Sequence, residues 1–345
     1  TGFKGGWTVM WLHKLGAIVK GYALEPNTTV SLFEVACISE TVESKIGNIC
    51  DLDLLQKSLV DFAPEIVIHM AAQPLVRASY VDPVGTYQTN VMGTVNLFEA
   101  IRSCDSVKAV VNVTTDKCYQ NNEREMGYRE DEPMGGHDPY SNSKGCSELA
   151  TLAYRQSFFN EKSIVSLASA RAGNVIGGGD WSNDRLIPDA LKAFSSGNPL
   201  IIRNPLATRP WQHVLEPIAG YLELAEKLYL YNDNFAEGWN FGPNDEDCKS
   251  VGEVIDLLIK KWPTKASWKL VQDAQPYEAQ LLKLDISKAK ERLDWRPHWC
   301  LERTLDSIIS WHKSWLNGDD MKNVTFNQIN DYEIQLREHH KQNDF

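Results

Sequence analysis

Apolar and polar positions alternate with two different periods along this chain. Short β-branched runs at Ile18 to Leu24, Ile46 to Leu52, Glu65 to Ala72 and Val107 to Val113 read as strands covered on both faces. Between them, Leu52 to Phe62 and Gly85 to Arg102 carry apolar residues at i, i+3 and i+4, the spacing of a helix with one buried face. Strand alternating with helix predicts an α/β fold built on a doubly wound parallel sheet. The pattern changes near Ile176, where Gly177-Gly178-Gly179-Asp180 leads into loops and helices rich in Pro, Trp and Arg, with a short strand at Leu200 to Arg203. This predicts a main domain over 1–175 and a smaller, mixed lobe over 176–322 with segments returning to the sheet. The polar stretch 323–345 is expected to be loosely held.

The first helix is entered through Thr1-Gly2-Phe3-Lys4-Gly5-Gly6 and continues as Trp7-Thr8-Val9-Met10-Trp11-Leu12. A G-x-x-G-x-x-G turn lets a pyrophosphate reach backbone N–H groups at a helix N-terminus, where the dipole favours negative charge. Here only Gly2 and Gly5 keep that spacing, and no strand precedes them. The expectation is that one central strand and the first glycine of the turn are missing from this sequence. Taken alone, two glycines fit an ordinary helix-initiating loop equally well.

Composition narrows the classes. The 345 residues are 43% apolar and 23% charged, with 35 Lys plus Arg against 46 Asp plus Glu, a formal charge of −11. That excess disfavours nucleic acid and anionic membranes as partners, and makes the 11 tryptophans packing residues rather than base-stacking platforms. The seven cysteines form no C-x-x-C pair and no zinc-ligand spacing with histidine, so no metal and reduced thiols in a cytoplasm are expected. The longest apolar stretches, such as Ile66 to Ala72, fall far short of the roughly 20 residues that span a bilayer.

Two segments carry candidate chemistry. The run ending Val113-Thr114-Thr115-Asp116-Lys117 puts polar residues at a strand's carboxyl end, where open α/β sheets bind ligands. In Asp138-Pro139-Tyr140-Ser141-Asn142-Ser143-Lys144, Tyr140 and Lys144 are four apart at a helix start and share one face. An ammonium beside a phenol favours the phenolate, so the pair predicts a Tyr140 pKa below the usual 10 or so and a usable base. The same spacing is common on amphipathic helices; Thr115 and Asp116, some 25 residues earlier on the adjoining strand end, turn the reading toward catalysis.

At these residues the chain resembles the extended short-chain dehydrogenase/reductase family of Rossmann-type enzymes, especially its nucleotide-sugar 4,6-dehydratases and 4-epimerases. Longer phrases are similar to the branch acting on CDP-glucose: Thr1 to Gly5, His69 to Arg77, Thr114 to Tyr119, Arg171 to Trp181, Arg209 to Val214 and Trp239 to Pro243. Lys117 stands where the dTDP-glucose branch typically has Glu.

The resemblance implies an NAD-dependent hydro-lyase of deoxysugar (O-antigen/lipopolysaccharide) biosynthesis. Tyr140, with Lys144, would take the proton of the C4 hydroxyl, Thr115 would hold the C4 oxygen, and Asp116 would protonate the C6 hydroxyl as water leaves across C5 and C6. Lys117 would handle the C5 proton or stabilise an enolate; simple pairing with Asp116 stays open, because an ammonium with a pKa near 10.4 accepts no proton unless its surroundings depress it. Cofactor contacts are implied at Gly2, Phe3, Lys4, Asn48, Ile49, Ala71, Ala72, Gln73, Asn90 and Thr114, besides Tyr140 and Lys144; for Asn90, a helix residue satisfied by backbone fits nearly as well. Asn48 departs from the family's usual Asp, and Tyr22-Ala23-Leu24 lacks the carboxylate that selects NAD over NADP. Asn174, Arg185, Arg203, Arg209, Asn240 and Tyr277 would meet the CDP-glucose nucleotide and its phosphates. With no G-K-[ST] after it, the Gly177 run reads as a flexible lobe connection, and His213 as a structural hydrogen bonder. A homodimer or dimer of dimers would pair the helices at Gly85 to Arg102 and Tyr140 to Phe159. Two other readings compete. A 4-epimerase needs Tyr140, Lys144 and a Thr or Ser but not the Asp116-Lys117 pair, and a non-catalytic dinucleotide-binding protein needs neither.

Overall fold

The computed structural model describes residues 1–271 and 279–343. Its first half alternates helix and strand: α1 (Phe3–Lys14), β1 (Lys20–Ala23), the short α2 (Leu32–Val35), β2 (Glu43–Ile46), α3 (Leu52–Phe62), β3 (Ile66–His69), α4 (Val76–Val81), α5 (Pro83–Tyr87), α6 (Gly93–Arg102), β4 (Ala109–Val113), α7 (Pro139–Ser157) and β5 (Ser166–Ala172). The second half adds β6 (Asn174–Ile176), α8 (Leu186–Ser195), β7 (Leu200–Ile202), β8 (Thr208–His213), α9 (Leu215–Tyr231), β9 (Gly238–Phe241), β10 (Cys248–Ser250), α10 (Val251–Lys261), β11 (Trp268–Leu270), α11 (Ser287–Arg292), α12 (Leu301–Asn317) and α13 (Met321–Asn343).

The order β3-β4-β5-β9 forms one parallel sheet, so β9 does return from the second half. Every residue of β4 and β5 is buried, as continuous apolar or small-residue strands between two helical layers must be. On one face α9 packs its Leu215, Ile218, Tyr221 and Leu228 into the largest core; on the other, Leu55, Leu59, Leu97 and Phe98 of α3 and α6 close a second. The second half builds its own core from Ile187, Leu191, Phe194, Ile255 and Leu305.

The parallel pair β1-β2 is a separate sheet, with no ladder to β3 among the described residues. Both β1 and β3 line one cleft, and among the described residues each has a ladder on one side only.

Four expectations change. The strand expected at Ile46 to Leu52 lies at Glu43–Ile46, because Asn48 accepts the Cys50 N–H at 2.9 Å and Asp51 caps α3, giving the following backbone other partners. The expected helix from Gly85 to Arg102 is interrupted by a π-helical turn at Gln88–Met92, where Asn90 is turned inward. The Gly177 run is packed, not flexible: a Cβ on Gly178 would sit 2.2 Å from the Trp311 side chain. The tail from Asn323 lies in α13, which buries Ile329 and Tyr332 and whose Glu333 accepts the Trp11 indole N–H at 2.9 Å and pairs with Lys14 at 2.6 Å. Its few apolar anchors sit at helical spacing, so low average hydropathy conceals one buried stripe.

Candidate active site

A cleft of about 2030 Å³ runs between the carboxyl ends of the parallel strands and the second half of the chain. Its reactive end is assembled by the start of α7 and the end of β4. Asp138 caps α7 twice, accepting the Ser141 N–H at 2.9 Å and the Ser141 hydroxyl at 2.6 Å, while Pro139 occupies the first turn. That rigid start places Tyr140 and Lys144 one turn apart. Lys144 Nζ donates to the Val113 carbonyl at 3.2 Å, tying the helix to the last residue of β4. Beyond β4 the backbone runs through Thr114 and Thr115 into a short 3-10 turn, Asp116–Cys118.

Thr115 Oγ1 donates to Asp116 Oδ1 at 3.0 Å, and the Thr115 hydroxyl also hydrogen-bonds Tyr140. Asp116 Oδ2 is buried in the cleft wall without a hydrogen-bond partner among the described residues. Burial raises the Asp116 pKa, against Lys117, Thr115 and Arg209, which favour the charged form. Burial likewise lowers Lys144 to about 8. The expected lowering of Tyr140 is not found. Burial pushes its phenol up to about 12, against the Thr115 hydrogen bond and the Arg185 charge. The physical reason is that the Lys144 ammonium is spent on the Val113 carbonyl, leaving the phenol in a desolvated pocket.

The cofactor-side residues divide into two groups. Gly2, Phe3, Lys4, Asn48, Ile49, Ala71, Ala72 and Thr114 line the cleft with Tyr140 and Lys144. The first-turn amides of α1 have no intrahelical acceptor, no acidic residue stands in that turn, and a Cβ on Gly2 or Gly5 would meet nothing within 4 Å. Such an open, electropositive cradle fits a dinucleotide pyrophosphate. Gln73 and Asn90, by contrast, stand behind the wall. Asn90 Oδ1 accepts the Gln73 N–H at 2.8 Å, and its Nδ2 donates to the Gln73 carbonyl at 3.0 Å and Ser143 Oγ at 2.9 Å. The Gln73 side chain bonds Thr86 and the Leu75 N–H. The two side chains tie down the loop after β3. The Thr114 hydroxyl is also committed, donating to Glu148 Oε1.

On the substrate side, Asn174, Arg185, Arg203 and Arg209 line the cleft. Arg185 is 3.6 Å from Asp180 and close enough to Tyr140 to ease its ionisation. Arg203 pairs with Asp184 at 3.0 Å. Arg209 is buried and donates to the carbonyls of Thr208, Ala279 and Gln280, anchoring the strand while its charge faces Asp116. Asn240 does not line the cleft. It is fully buried in the sheet, where Oδ1 accepts the Tyr119 hydroxyl at 2.7 Å and Nδ2 donates to the carbonyls of Tyr128 and Asp285. Tyr277 lies outside the described residues. His213 is structural as expected, accepting the Leu215 N–H among Trp7 and Trp299.

Two site features escaped the pattern reading. The Lys4 side chain enters the cleft with Nζ 3.4 Å from the Tyr221 hydroxyl, and burial, with Arg185 and Lys144 nearby, lowers it to about 7. Behind Thr114, Glu148 pairs with Arg171 at 2.9 Å and accepts Ser169 Oγ at 2.6 Å. A Glu four residues after Lys144 was a visible signal for the second; nothing local announced that Tyr221 of α9 would meet Lys4. Among the described residues no cluster of His, Cys, Asp and Glu could hold a metal ion, and no helix is long and apolar enough to cross a membrane.

A family model described as GDP-mannose 4,6 dehydratase matches residues 1–308. A CDP-glucose 4,6-dehydratase of Salmonella typhimurium is 55% identical over 336 residues, covering 96% of this chain and 94% of that relative. A dTDP-glucose 4,6-dehydratase of Xanthomonas campestris is 25% identical over 300 residues, covering 79% of this chain and 80% of its own. Among solved structures, a UDP-glucose 4-epimerase of Thermotoga maritima superposes with a TM-score of 0.79 at 21% identity, covering 91% of this chain and 97% of the other. A dTDP-glucose 4,6-dehydratase of Bacillus anthracis, solved with NAD, gives 0.75 at 21% identity, covering 91% and 94%.

Proposed function

This chain belongs to the GDP-mannose 4,6-dehydratase family of nucleotide-sugar enzymes, and from that premise we propose that it converts CDP-glucose to CDP-4-dehydro-6-deoxyglucose, a supply step for deoxysugars. The observation that carries the reading is Asp116. It is a buried carboxyl whose pKa burial raises, with one oxygen held by Thr115 and the other without a partner among the described residues, beside Tyr140. An epimerase has no use for that acid.

The residues divide the work as follows. Gly2, Phe3 and Lys4 at the α1 N-terminus, with Asn48, Ile49, Ala71 and Ala72, would hold NAD, which would supply a reversible hydride acceptor for the sugar. Tyr140 takes the proton from the C4 hydroxyl, Thr115 holds the C4 oxygen, and Lys144 orients the start of α7 against β4. Oxidation at C4 acidifies the C5 proton. Asp116 protonates the departing C6 hydroxyl, and Lys117 receives the C5 proton or steadies the enolate. Asn174, Arg185, Arg203 and Arg209 surround the nucleotide and its phosphates. The division into a dinucleotide-binding domain over 1–175 and a nucleotide-sugar lobe over 176–322 rests on the same reading.

The test is the product formed from CDP-glucose, followed as the alkali-induced ultraviolet absorbance of the 4-keto sugar. CDP-glucose should be consumed at least about tenfold faster than dTDP-glucose or UDP-glucose at equal concentration. A site built to hydrogen-bond the cytosine edge leaves buried groups unpaired when thymine or uracil enters. Comparable rates with dTDP-glucose would reassign the substrate.

Two expectations concern assembly. Exposed Val84, Met92, Leu149 and Leu152 on α5, the π turn and α7 support a homodimer through these helices. Replacing both Met92 and Leu149 by Glu should shift sedimentation from dimer to monomer; a parental monomer would refute the pairing. The facing edges of β1 and β3 support a sheet completed by one more parallel strand. An apolar segment of roughly five residues, the usual strand length, supplied as a peptide or fused ahead of Thr1, should raise the urea midpoint, since each added ladder bond is worth about 0.5 to 1.5 kcal/mol. An unchanged midpoint in both formats would refute it.

A further inference from the structure

One side chain in the cleft mouth has no role in the chemistry above. Asp184 Oδ1 accepts from Arg77 at 3.0 Å and from Arg203 at 3.0 Å, and the Asp184 carbonyl accepts a further Arg203 contact at 3.4 Å. The two guanidiniums come from opposite sides. Arg77 stands on α4, directly after the loop that closes β3, whereas Arg203 follows β7 in the second half of the chain. All three residues line the cleft. One carboxylate oxygen therefore joins the two walls.

The backbone at Asp184 makes this contact directional. Its φ of 59° lies in the left-handed region, which a non-glycine residue adopts at a cost but which Asp tolerates better than most. The turn sends successive side chains apart: Asp184 toward the two arginines, and Arg185 toward Asp180 and the electrostatic reach of Tyr140 and Lys4. The segment has little freedom on its other side. Gly178 and Gly179 are packed under Trp311 and Leu32, and Asp180 accepts the Ser182 N–H at 2.9 Å. At the far end, Arg185 is the N-cap of α8, which has no side-chain hydrogen bond holding it. The Asp184 carboxylate is thus the attachment that ties this turn to both walls.

We propose that Asp184 is a positioning residue: by bridging Arg77 to Arg203 it fixes the turn that places Arg185 in the cleft lining, toward the proposed phosphate site. The effect on global stability is small, because the three side chains are partly exposed and surface ion pairs contribute little. The effect on the turn is local. Without the carboxylate, two converging guanidiniums repel, and Arg185 samples positions away from the site. The consequence for turnover rests on the proposed nucleotide-sugar reaction; the consequence for the turn does not.

Both are read on the full chain with Asp184→Asn, Arg77→Met and the double variant. Amide hydrogen exchange over residues 181–187, without ligand, should accelerate at least about fivefold in each single variant, the size expected when one or two partly exposed ion pairs are lost. The double variant should be no faster than Asp184→Asn, since the bridge is broken only once. With CDP-glucose, KM should rise roughly fivefold or more while kcat stays within about twofold, the signature of weakened ground-state binding rather than lost chemistry. Exchange rates unchanged in Asp184→Asn, or effects that add in the double variant, would overturn the bridge whatever the substrate. Accelerated exchange with an unchanged KM would overturn the positioning of Arg185 while leaving the bridge. A parental protein that does not turn over CDP-glucose would count against the proposed reaction alone, with the exchange data still deciding the bridge.

Discussion

Replacing Tyr140 by Phe is expected to lower turnover of the nucleotide sugar by at least the roughly 10²- to 10⁴-fold that a positioned proton acceptor supplies. The substitution removes one oxygen from a buried ring and little else. The start of α7 is held by Asp138 and Pro139, and the Tyr140 backbone N–H donates to Ser79 Oγ at 3.0 Å, so the ring should keep its place. Cofactor retention and the thermal midpoint should therefore stay close to those of the parent. The pH dependence carries a sign. The phenol lies at about 12 with the cleft as it stands, so the active phenolate becomes more abundant as pH rises, and kcat/KM of the parent should climb on the alkaline side of neutrality. Residual activity in Tyr140→Phe should lose that climb. Near-normal turnover, or a pH profile that keeps its rising limb, would remove Tyr140 from the chemistry.

Asp116→Asn should separate the two halves of the reaction. Oxidation at C4 depends on Tyr140 and Thr115 and should persist, whereas loss of water across C5 and C6 should slow by roughly 10²- to 10⁴-fold without its acid. The separation is measurable as a 4-keto sugar that still bears its C6 hydroxyl, resolved by NMR from the 6-deoxy product. Burial raises the Asp116 pKa from its ordinary value, against Lys117, Thr115 and Arg209. A general acid works only while protonated, so its contribution is present below that pKa and is lost as pH rises through it. The parent should show this falling limb in the elimination step, and Asp116→Asn should not. Equal loss of both steps would make Asp116 a residue that merely holds Thr115 in place.

The two variants probe parts of the site that were legible to different degrees. Tyr140 with Lys144 and Thr115 with Asp116 could be picked out from spacing and from their place after a strand, because local backbone geometry brings together the members of each pair: a helix start for one, a strand end for the other. The sign of the Tyr140 shift could not. It depends on what the Lys144 ammonium touches, and that is the carbonyl of Val113, a partner on another element. The amides show the same limit. Motif position points Asn90 and Asn240 toward a ligand or toward backbone and does not choose between them, because a buried amide bonds whatever backbone faces it. For these two that is the Gln73 peptide group and the carbonyls of Tyr128 and Asp285.

The sequence by itself determined the α/β alternation and the family and pointed to the candidate quartet, since periodicity, strand-end placement and helical spacing are properties of neighbouring residues. Tertiary structure alone decided which polar groups remain free to act. Arg203 is partnered by Asp184, Arg209 is largely spent on the carbonyls of residues 208, 279 and 280, and Lys4 enters the cleft beside Tyr221. It also made the polar tail a docked helix and the glycine run a packed seam under Trp311. The physical reason is common to all of these. Burial and hydrogen bonding are settled by residues on different elements, from 19 positions apart for Arg203 with Asp184 to 322 for Trp11 with Glu333, and no local pattern records which of them will meet.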